Sequence, residues 1–390
     1  MPLPAGPVWG EHLSDARLFG LALAAFAASV LYLGLAAWRH RRNLRAVPIR
    51  IHVAGTRGKS TTTRMIAAGL RAGGITVLAK ATGSEPRLIL PDGNEEVWSR
   101  RGPASVREQV RFFAKAARMG VGAAVIECMA IRPELVWASQ THLVQATTAV
   151  LTNARPDHFE DVGEDPSAMA DALRWVVPAK GRLVVAAEAA TPALLAFAAA
   201  SGTTVVRVET GGLDAHAANR AVALAVCAAH GVGEAVAGPA IEAARADPGL
   251  YFERAVSVGG KPIRFANAFA CNDVDSFAQI WEAKRDGTPS VVLFNARMDR
   301  PLRTTHFLSF LNRQEPTPQI FVAGDPSAVR RARRGAAAAK VQRLRARTPA
   351  AALAEVAAAA SAGALVWGVG NYQGLGAGLI GELSRPDPSC

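Results

Sequence analysis

Residues 51–63 read Ile-His-Val-Ala-Gly-Thr-Arg-Gly-Lys-Ser-Thr-Thr-Thr, with two glycines, a lysine and a hydroxyl cluster directly after a β-branched segment. That order suits a nucleotide phosphate. Gly55 and Gly58 let the backbone turn its N–H groups inward around Thr56 and Arg57, and Lys59 can reach the outer phosphates. Ser60 or Thr61 then opens a helix whose N-terminus adds partial positive charge and whose hydroxyl can hold Mg2+. The general pattern places four residues between its first glycine and Gly-Lys; here two residues separate Gly55 from Gly58. A plain glycine turn would explain the glycines alone, but not Gly-Lys-Ser-Thr immediately behind a strand. Two further groups carry chemistry. Glu127 ends the apolar run Ala-Ala-Val-Ile, where a carboxylate beside a phosphate loop can hold Mg2+ or cap a helix. Residues 151–160 gather Asn153, Asp157 and His158 in one short loop, and amide, carboxylate and imidazole together can orient a metal, a nucleophile and a γ-phosphate.

The elements that must position these groups alternate. Residues 60–72 form an amphipathic helix with Met65, Ile66 and Leu70 on one side, and the segment from Ile75 reads as the next strand. Residues 86–98 look like a hairpin around Pro-Asp-Gly, and 104–118 like a helix. Buried strands are predicted at 122–127, 149–153 and 182–187, and a long alanine-rich helix over 215–230. After a pause near Asp247 the alternation restarts with strands at 263–268, 290–295, 319–323 and 364–368. This predicts an α/β fold of parallel sheets wrapped by helices, with chemistry at the carboxyl ends of the strands.

Residues 18–38 hold no charged side chain, and about 21 residues at 1.5 Å each span roughly 30 Å, the hydrocarbon thickness of a bilayer. Arg39, Arg41, Arg42 and Arg45 follow at once, whereas the upstream flank sets Arg17 against Glu11 and Asp15. The positive-inside rule predicts a single-pass inner-membrane anchor, its N-terminus outside and everything after Arg39 in the cytoplasm. The chain has 390 residues and a formal charge of +12; the first 46 residues supply +3 of it, five arginines against two acids. The densest basic run lies between Arg330 and Arg347, a surface that suits nucleic acid, anionic lipid or a polyanionic substrate, or an ordinary solvated face. Four scattered cysteines without metal or disulfide spacing suit a reducing compartment. The expected organisation is 1–46, anchor and basic juxtamembrane segment; 47–250, central nucleotide-binding domain; 251–390, smaller C-terminal α/β domain.

The shortened loop, Gly-Thr-x-Gly-Lys-Ser, resembles that of the Mur ligase superfamily, ATP-dependent enzymes that join a carboxylate to an amine. Thr-Asn-x-x-x-Asp-His at 152–158 is similar to that family's corresponding segment. The resemblance implies Mg2+ at Glu127, a second metal site at His158, Asp157 in the phosphate or metal network, and Asn153 among the nucleotide contacts. It implies contact of Asn219 with the base, on a helix it shares with His216, and of Asn272 and Asp273 with ribose or phosphate. Residues 248–254 resemble the interdomain linker, though the usual arginine after the glycine is missing and Arg254 is the nearest substitute. The carbamylated lysine of many relatives has no counterpart at 168–175. A membrane helix stands where the peptidoglycan enzymes carry a UDP-sugar domain.

Together with Arg100-Arg-Gly, the stretch 293–300 and the glycine string 368–376, the whole chain is similar to the ligase subunits of bacterial poly-γ-glutamate synthases, the capsule B-type family. That implies an ATP-dependent, Mg2+-requiring ligase adding glutamate through γ-linkages to a growing poly-γ-glutamate chain via an acyl phosphate. Arg57, Arg297 and Arg300 are candidates for the substrate carboxylates. The implied partners are small integral-membrane subunits of a synthase and export complex, and no nucleic acid; homo-oligomerisation is left open. Two other readings remain open: a membrane-anchored ATPase energising export, and an amide ligase for a different amino acid.

Overall fold

The computed structural model describes residues 15–83, 85–100, 102–155, 168–245, 247, 250–271, 274–296, 301–324, 327, 330 and 341–383. Fourteen strands are described: β1 (Ile49–Ala54), β2 (Val77–Ala81), β3 (Arg87–Ile89), β4 (Glu95–Val97), β5 (Ala123–Glu127), β6 (Thr148–Leu151), β7 (Arg182–Ala186), β8 (Thr204–Val208), β9 (Phe252–Val258), β10 (Lys261–Ala268), β11 (Val291–Ala296), β12 (Gln319–Gly324), β13 (Val341–Arg343) and β14 (Leu365–Gly370). They form two sheets, of eight and six strands, ordered β4-β3-β2-β5-β1-β6-β7-β8 and β13-β12-β11-β14-β10-β9.

In the first sheet β2, β5, β1, β6, β7 and β8 run parallel, and the β3–β4 hairpin adds an antiparallel edge. Helices cover both faces, so β2, β5 and β6 are buried along their whole length, which is why they read as continuous apolar runs. On one face Ile51, Val53, Ile66, Leu70, Val125 and Val150 pack with Val222 and Val226 of the Ala215–Ala229 helix. The Lys59–Ala72 helix lies against that helix and against Glu234–Glu242. Register places the ends of β1, β5 and β6 side by side, with Val53 opposite Glu127 and Ala54 opposite Leu151. The groups that follow these three strands are therefore neighbours.

The second sheet is parallel except for β9, which pairs antiparallel with β10. Its core includes an aromatic cluster in which the Trp281 and Trp367 rings lie 4.9 Å apart. Two sequence expectations shift, one in each sheet. Residues Phe252–Arg254, read as part of a linker, belong to β9, and Arg254 lies opposite Phe265. The strand expected from Ile75 starts at Val77, because the chain is still leaving the preceding helix: the Ile75 N–H donates to the Leu70 carbonyl.

The N-terminal helix runs unbroken from Asp15 to Arg45. Its apolar stretch is exposed, with Phe19, Leu31 and Tyr32 all more than 70 % accessible, whereas Leu44 and the following Val47 are buried in the body. Arg50 fixes the exit by donating to the carbonyls of Leu44 and Val47, satisfying acceptors that a helix C-terminus leaves open. The apolar segment thus continues into the body as one unbroken helix, whose last turn packs in the core at Leu44.

His52 is fully buried on β1, with Nδ1 3.0 Å from Gln140 Oε1. Burial pulls its imidazole down to about 4, against the opposing effect of the Gln140 hydrogen bond. The unfolded chain holds a proton on this ring below about pH 6.5 while the folded one does not. The stability it contributes is therefore complete above that pH and lost as pH falls towards 4. The expected loss by pH 5 is roughly 2 kcal/mol, a fall of about 4–8 °C in the thermal midpoint of a domain of this size. Thermal scans at pH 7.5 and 5.0 check it: His52→Gln should flatten that fall, and an unchanged pH dependence would show that another group causes it.

Candidate active site at the carboxyl ends of the central strands

The loop between β1 and the Lys59–Ala72 helix turns on Gly55 (φ 133°) and Gly58 (φ 76°), both in the region that disfavours side chains. Gly58 caps the helix with no side-chain cap, and no acid stands in the first turn, so this N-terminus keeps its positive character. A Cβ at Gly58 would also overlap the side-chain amide of Asn219, which reaches in from the Ala215–Ala229 helix. Asn219 Oδ1 accepts from Thr62 Oγ1 at 3.2 Å. The expected cost of Gly58→Ala is about 1–2 kcal/mol from the left-handed backbone alone. The collision adds to it, so a lower thermal midpoint should accompany weakened nucleotide binding. Unchanged values of both would show that the loop tolerates the methyl.

Asn153, just past β6, holds the loop from the other side. Its Oδ1 accepts from Thr56 Oγ1 at 2.5 Å and from the Arg57 N–H at 3.0 Å, and its Nδ2 donates to the Arg57 carbonyl at 3.0 Å. Thr152 Oγ1 donates to the same carbonyl at 2.6 Å. Both ends of the Asn153 amide are engaged by the loop, so the structure gives this residue a positioning role beside the nucleotide contact expected from sequence.

Lys59 folds over the turn, its Nζ donating to the carbonyls of Gly55 (2.7 Å) and Thr56 (3.2 Å). Ser60 is buried and donates through Oγ to Glu127 Oε2 at 2.7 Å; the same oxygen accepts from the Thr82 N–H at 2.5 Å. Glu127, 3 % exposed, is therefore brought against the first turn of the helix by the β1–β5 register. Thr61 lies half-buried beside them. A hydroxyl and a carboxylate converging at a phosphate loop form a donor set of hard oxygens. Among the described residues no cluster of three or more His, Cys, Asp or Glu could hold a metal by itself. Cys128 is no nucleophile here: burial pushes its thiol up to about 11.

Two buried ionic networks flank the site, and neither was anticipated from sequence. Arg64, one helical turn after Ser60, donates to Glu95 (2.7 Å) on β4 and to Asp247 (2.9 Å), tying the hairpin and the segment between the two sheets to the helix. Lys80 is wholly buried at the end of β2, its Nζ 2.6 Å from Glu108 and 5.0 Å from the Trp98 ring centroid, and Arg100 completes the group through Glu108 at 2.8 Å. Burial draws the Lys80 ammonium below its usual range, with Glu108 opposing that shift. A signal for both was available: a cation inside an apolar strand, and an arginine on the buried face of an amphipathic helix.

The structure thus brings together Gly55, Thr56, Arg57, Gly58, Lys59, Ser60, Thr61, Glu127, Asn153 and Asn219. His216, on the same helix as Asn219, lies instead at an exposed position 3.3 Å from Glu242. Asp157, His158, Asn272, Asp273, Arg297 and Arg300 lie outside the described residues.

The Mur ligase middle domain matches residues 53–226, and the poly-gamma-glutamate synthase CapB C-terminal domain matches residues 253–385. Over 285 residues the chain is 30 % identical to the PGA synthase CapB of Bacillus subtilis (strain 168), covering 69 % of this chain and 72 % of that one. It is 29 % identical to the capsule biosynthesis protein CapB of Bacillus anthracis over 284 residues, 69 % of this chain and 61 % of the relative. Among solved structures, E. coli FolC in complex with ADP superposes with a TM-score of 0.61 at 18 % identity, covering 90 % of this chain and 92 % of FolC. MurF from Acinetobacter baumannii gives 0.59 at 16 %, covering 89 % and 79 %. At these identities the two likenesses establish the fold alone.

Proposed function

Because the chain belongs to the CapB family of poly-γ-glutamate synthases, we propose that it is an ATP-dependent amide ligase that lengthens poly-γ-glutamate at the inner face of a membrane. The observation that carries the reading is the convergence of Ser60 and Glu127, 2.7 Å apart, at the end of a phosphate loop clamped by Asn153. It is supported by the ADP complex of the structurally similar FolC.

A carboxylate and an amine do not condense at neutral pH, because the carboxylate is a poor electrophile and hydroxide a poor leaving group. In the proposed reaction a carboxylate oxygen at the polymer end forms a bond to the γ-phosphorus of ATP, the bond from that phosphorus to the β–γ bridging oxygen breaks, and ADP leaves. The amine nitrogen of the incoming glutamate then attacks the acyl carbon, the carbon–oxygen bond to phosphate breaks, and the nitrogen loses its extra protons. This chain's part is to hold and neutralise. The turn from Gly55 to Gly58 presents backbone N–H groups, the helix N-terminus faces the anion, and Lys59 swings from the loop carbonyls to the outer phosphates. Ser60 and Glu127 suit Mg2+, which favours oxygen ligands and takes one or two carboxylates together with phosphates and water; when bound it would neutralise charge on the transferring phosphate. Asp157 and His158 are proposed to act next to them, and Asn219, Asn272 and Asp273 on the nucleoside. Arg297 and Arg300 are proposed to meet the substrate carboxylates.

The long apolar helix fits a membrane anchor, because its exposed side chains span a bilayer's thickness and find no partner surface among the described residues. An anchored enzyme making a polyanion points to synthesis coupled to export, with small integral-membrane subunits as partners. The test uses membrane vesicles containing this chain and such subunits, supplied with ATP, Mg2+ and radiolabelled glutamate. Acid-insoluble, γ-linked label that requires ATP is the expected result. ATP hydrolysis indifferent to glutamate, with no polymer, would transfer the reading to an anchored ATPase.

A further inference from the structure

A cavity of about 570 Å³ opens at the carboxyl ends of β11, β12 and β14, floored by Asn295, Gly324 and Asn371. Asn295 is held there by donating through Nδ2 to the carbonyls of Asn371 (2.6 Å) and Gln373 (2.9 Å). Open α/β sheets bind ligands in this position. One wall is the ribbon that leaves β13 at the sheet edge. Along it Arg343, Arg345 and Arg347 are exposed, while Leu344 is buried and Ala346 half-buried, the alternation of an extended segment. The ribbon is fixed in place: the Arg345 and Ala346 N–H groups both donate to the Glu355 carboxylate, at 3.1 and 2.8 Å. The same three arginines also line a second concavity of about 870 Å³, bordered by Glu355, Ala358 and Ala359 of the Pro349–Ala359 helix. Glu355 is the one carboxylate among the described residues lining either space, and it is occupied by backbone. None of the three guanidinium groups is ion-paired with a described residue.

We infer that this ribbon is a binding track for the elongating polymer, separate from the phosphate loop, that holds several of its free carboxylates at once. The identity of the anion rests on the ligase reading above; the track itself rests on the geometry. Alternate residues of an extended segment stand roughly 6.5 Å apart. A γ-linked glutamate contributes five chain atoms where an α-peptide contributes three, so its repeat extends to roughly 6 Å and carries one free carboxylate. Three consecutive units can therefore each meet one arginine, with the methylene torsions turning each carboxylate inward. Arginine suits this task, because its planar fork pairs carboxylates bidentately. Exposed pairs are individually weak and salt-sensitive, so the track should retain a chain while letting it slide, and it should ignore a single glutamate.

The test uses the full chain in nanodiscs of zwitterionic lipid and a fluorescein-labelled γ-glutamyl decamer, read by anisotropy without ATP. The variant Arg343→Gln/Arg345→Gln/Arg347→Gln should weaken decamer binding about tenfold at low salt and flatten its salt dependence. Its products should be shorter, with the initial rate of ADP release on a short acceptor unchanged. Arg345→Gln alone should show a smaller shift in the same direction, and because all three side chains are exposed the thermal midpoint should hold. Unchanged decamer affinity in the triple variant would overturn the inference. So would competition by free glutamate or inorganic phosphate as effective, per charge, as the decamer, which would mark an indiscriminate anion surface. Arginine-dependent decamer binding in a protein that never incorporates glutamate would leave the track standing and sink the ligase reading. Normal polymer synthesis with unaltered affinity and product length in the triple variant would do the reverse.

Discussion

Lys59→Ala should lower glutamate-dependent ADP release by roughly a thousandfold or more, with little change in thermal stability. The magnitude follows from removing the cation proposed to meet the developing phosphate charge, where one lost donor already costs on the order of 100- to 1000-fold. The stability should hold because the Lys59 side chain is only half-buried and its partners are loop carbonyls, which water can satisfy in its place. Lys59→Arg should rescue little: the guanidinium is longer and planar, and a compact ammonium over a two-residue turn is not replaced by a fork. Steady-state ADP release with a defined acceptor measures this, and a drop below about tenfold would show that Lys59 is not the phosphate-binding cation.

The second large effect belongs to Glu127. One of its oxygens receives both the Ser60 hydroxyl and the Thr82 N–H, in a position 3 % exposed. Glu127→Gln keeps the shape and removes the charge. The expected result is a fall in kcat of roughly 100- to 1000-fold and a higher Mg2+ concentration for half-maximal rate. Ser60→Ala should behave similarly, and the double variant should lose little more than either alone, because residues acting on one ion are strongly non-additive. Additive losses, or a Mg2+ requirement that does not move, would separate the two residues and remove them from a common metal site.

How much of this was legible beforehand depends on how local each signal is. The turn after β1 could be read because its geometry is written in adjacent residues: two glycines at positive φ, then the lysine and serine that open the helix. The central strands could be read because helices on both faces force continuous apolar runs. The membership of the Mur-type ligases and of the CapB family followed from the same motifs and is matched by the comparisons. What escaped depends on distant partners. Nothing around Asn153 in sequence shows that its amide is engaged by a loop 96 residues away. The Arg64–Glu95–Asp247 bridge joins residues separated by up to 183 positions. Lys80 breaks the rule that buried parallel strands are apolar, and only the structure shows Glu108 and Trp98 waiting for it. The helices Pro192–Ala200 and Pro349–Ala359 are mostly alanine and leucine, with Glu355 their one charged residue, so no continuous polar face marked them. Strand β9 is an antiparallel edge with no buried residue, so its sequence carries no buried apolar run and its likeness to a linker prevailed.

The central claim is that the phosphate loop activates a carboxylate rather than merely splitting ATP. Positional isotope transfer tests it most directly. A short γ-glutamyl acceptor carrying 18O in its terminal carboxylates is incubated with the full chain in its membrane, ATP, Mg2+ and unlabelled glutamate in ordinary water, and the released phosphate is analysed by mass spectrometry. The account predicts one 18O atom in each phosphate released in step with chain extension, and none released by Lys59→Ala above background. Phosphate formed at the wild-type rate with oxygen drawn only from water would contradict it, and would make this site an ATPase.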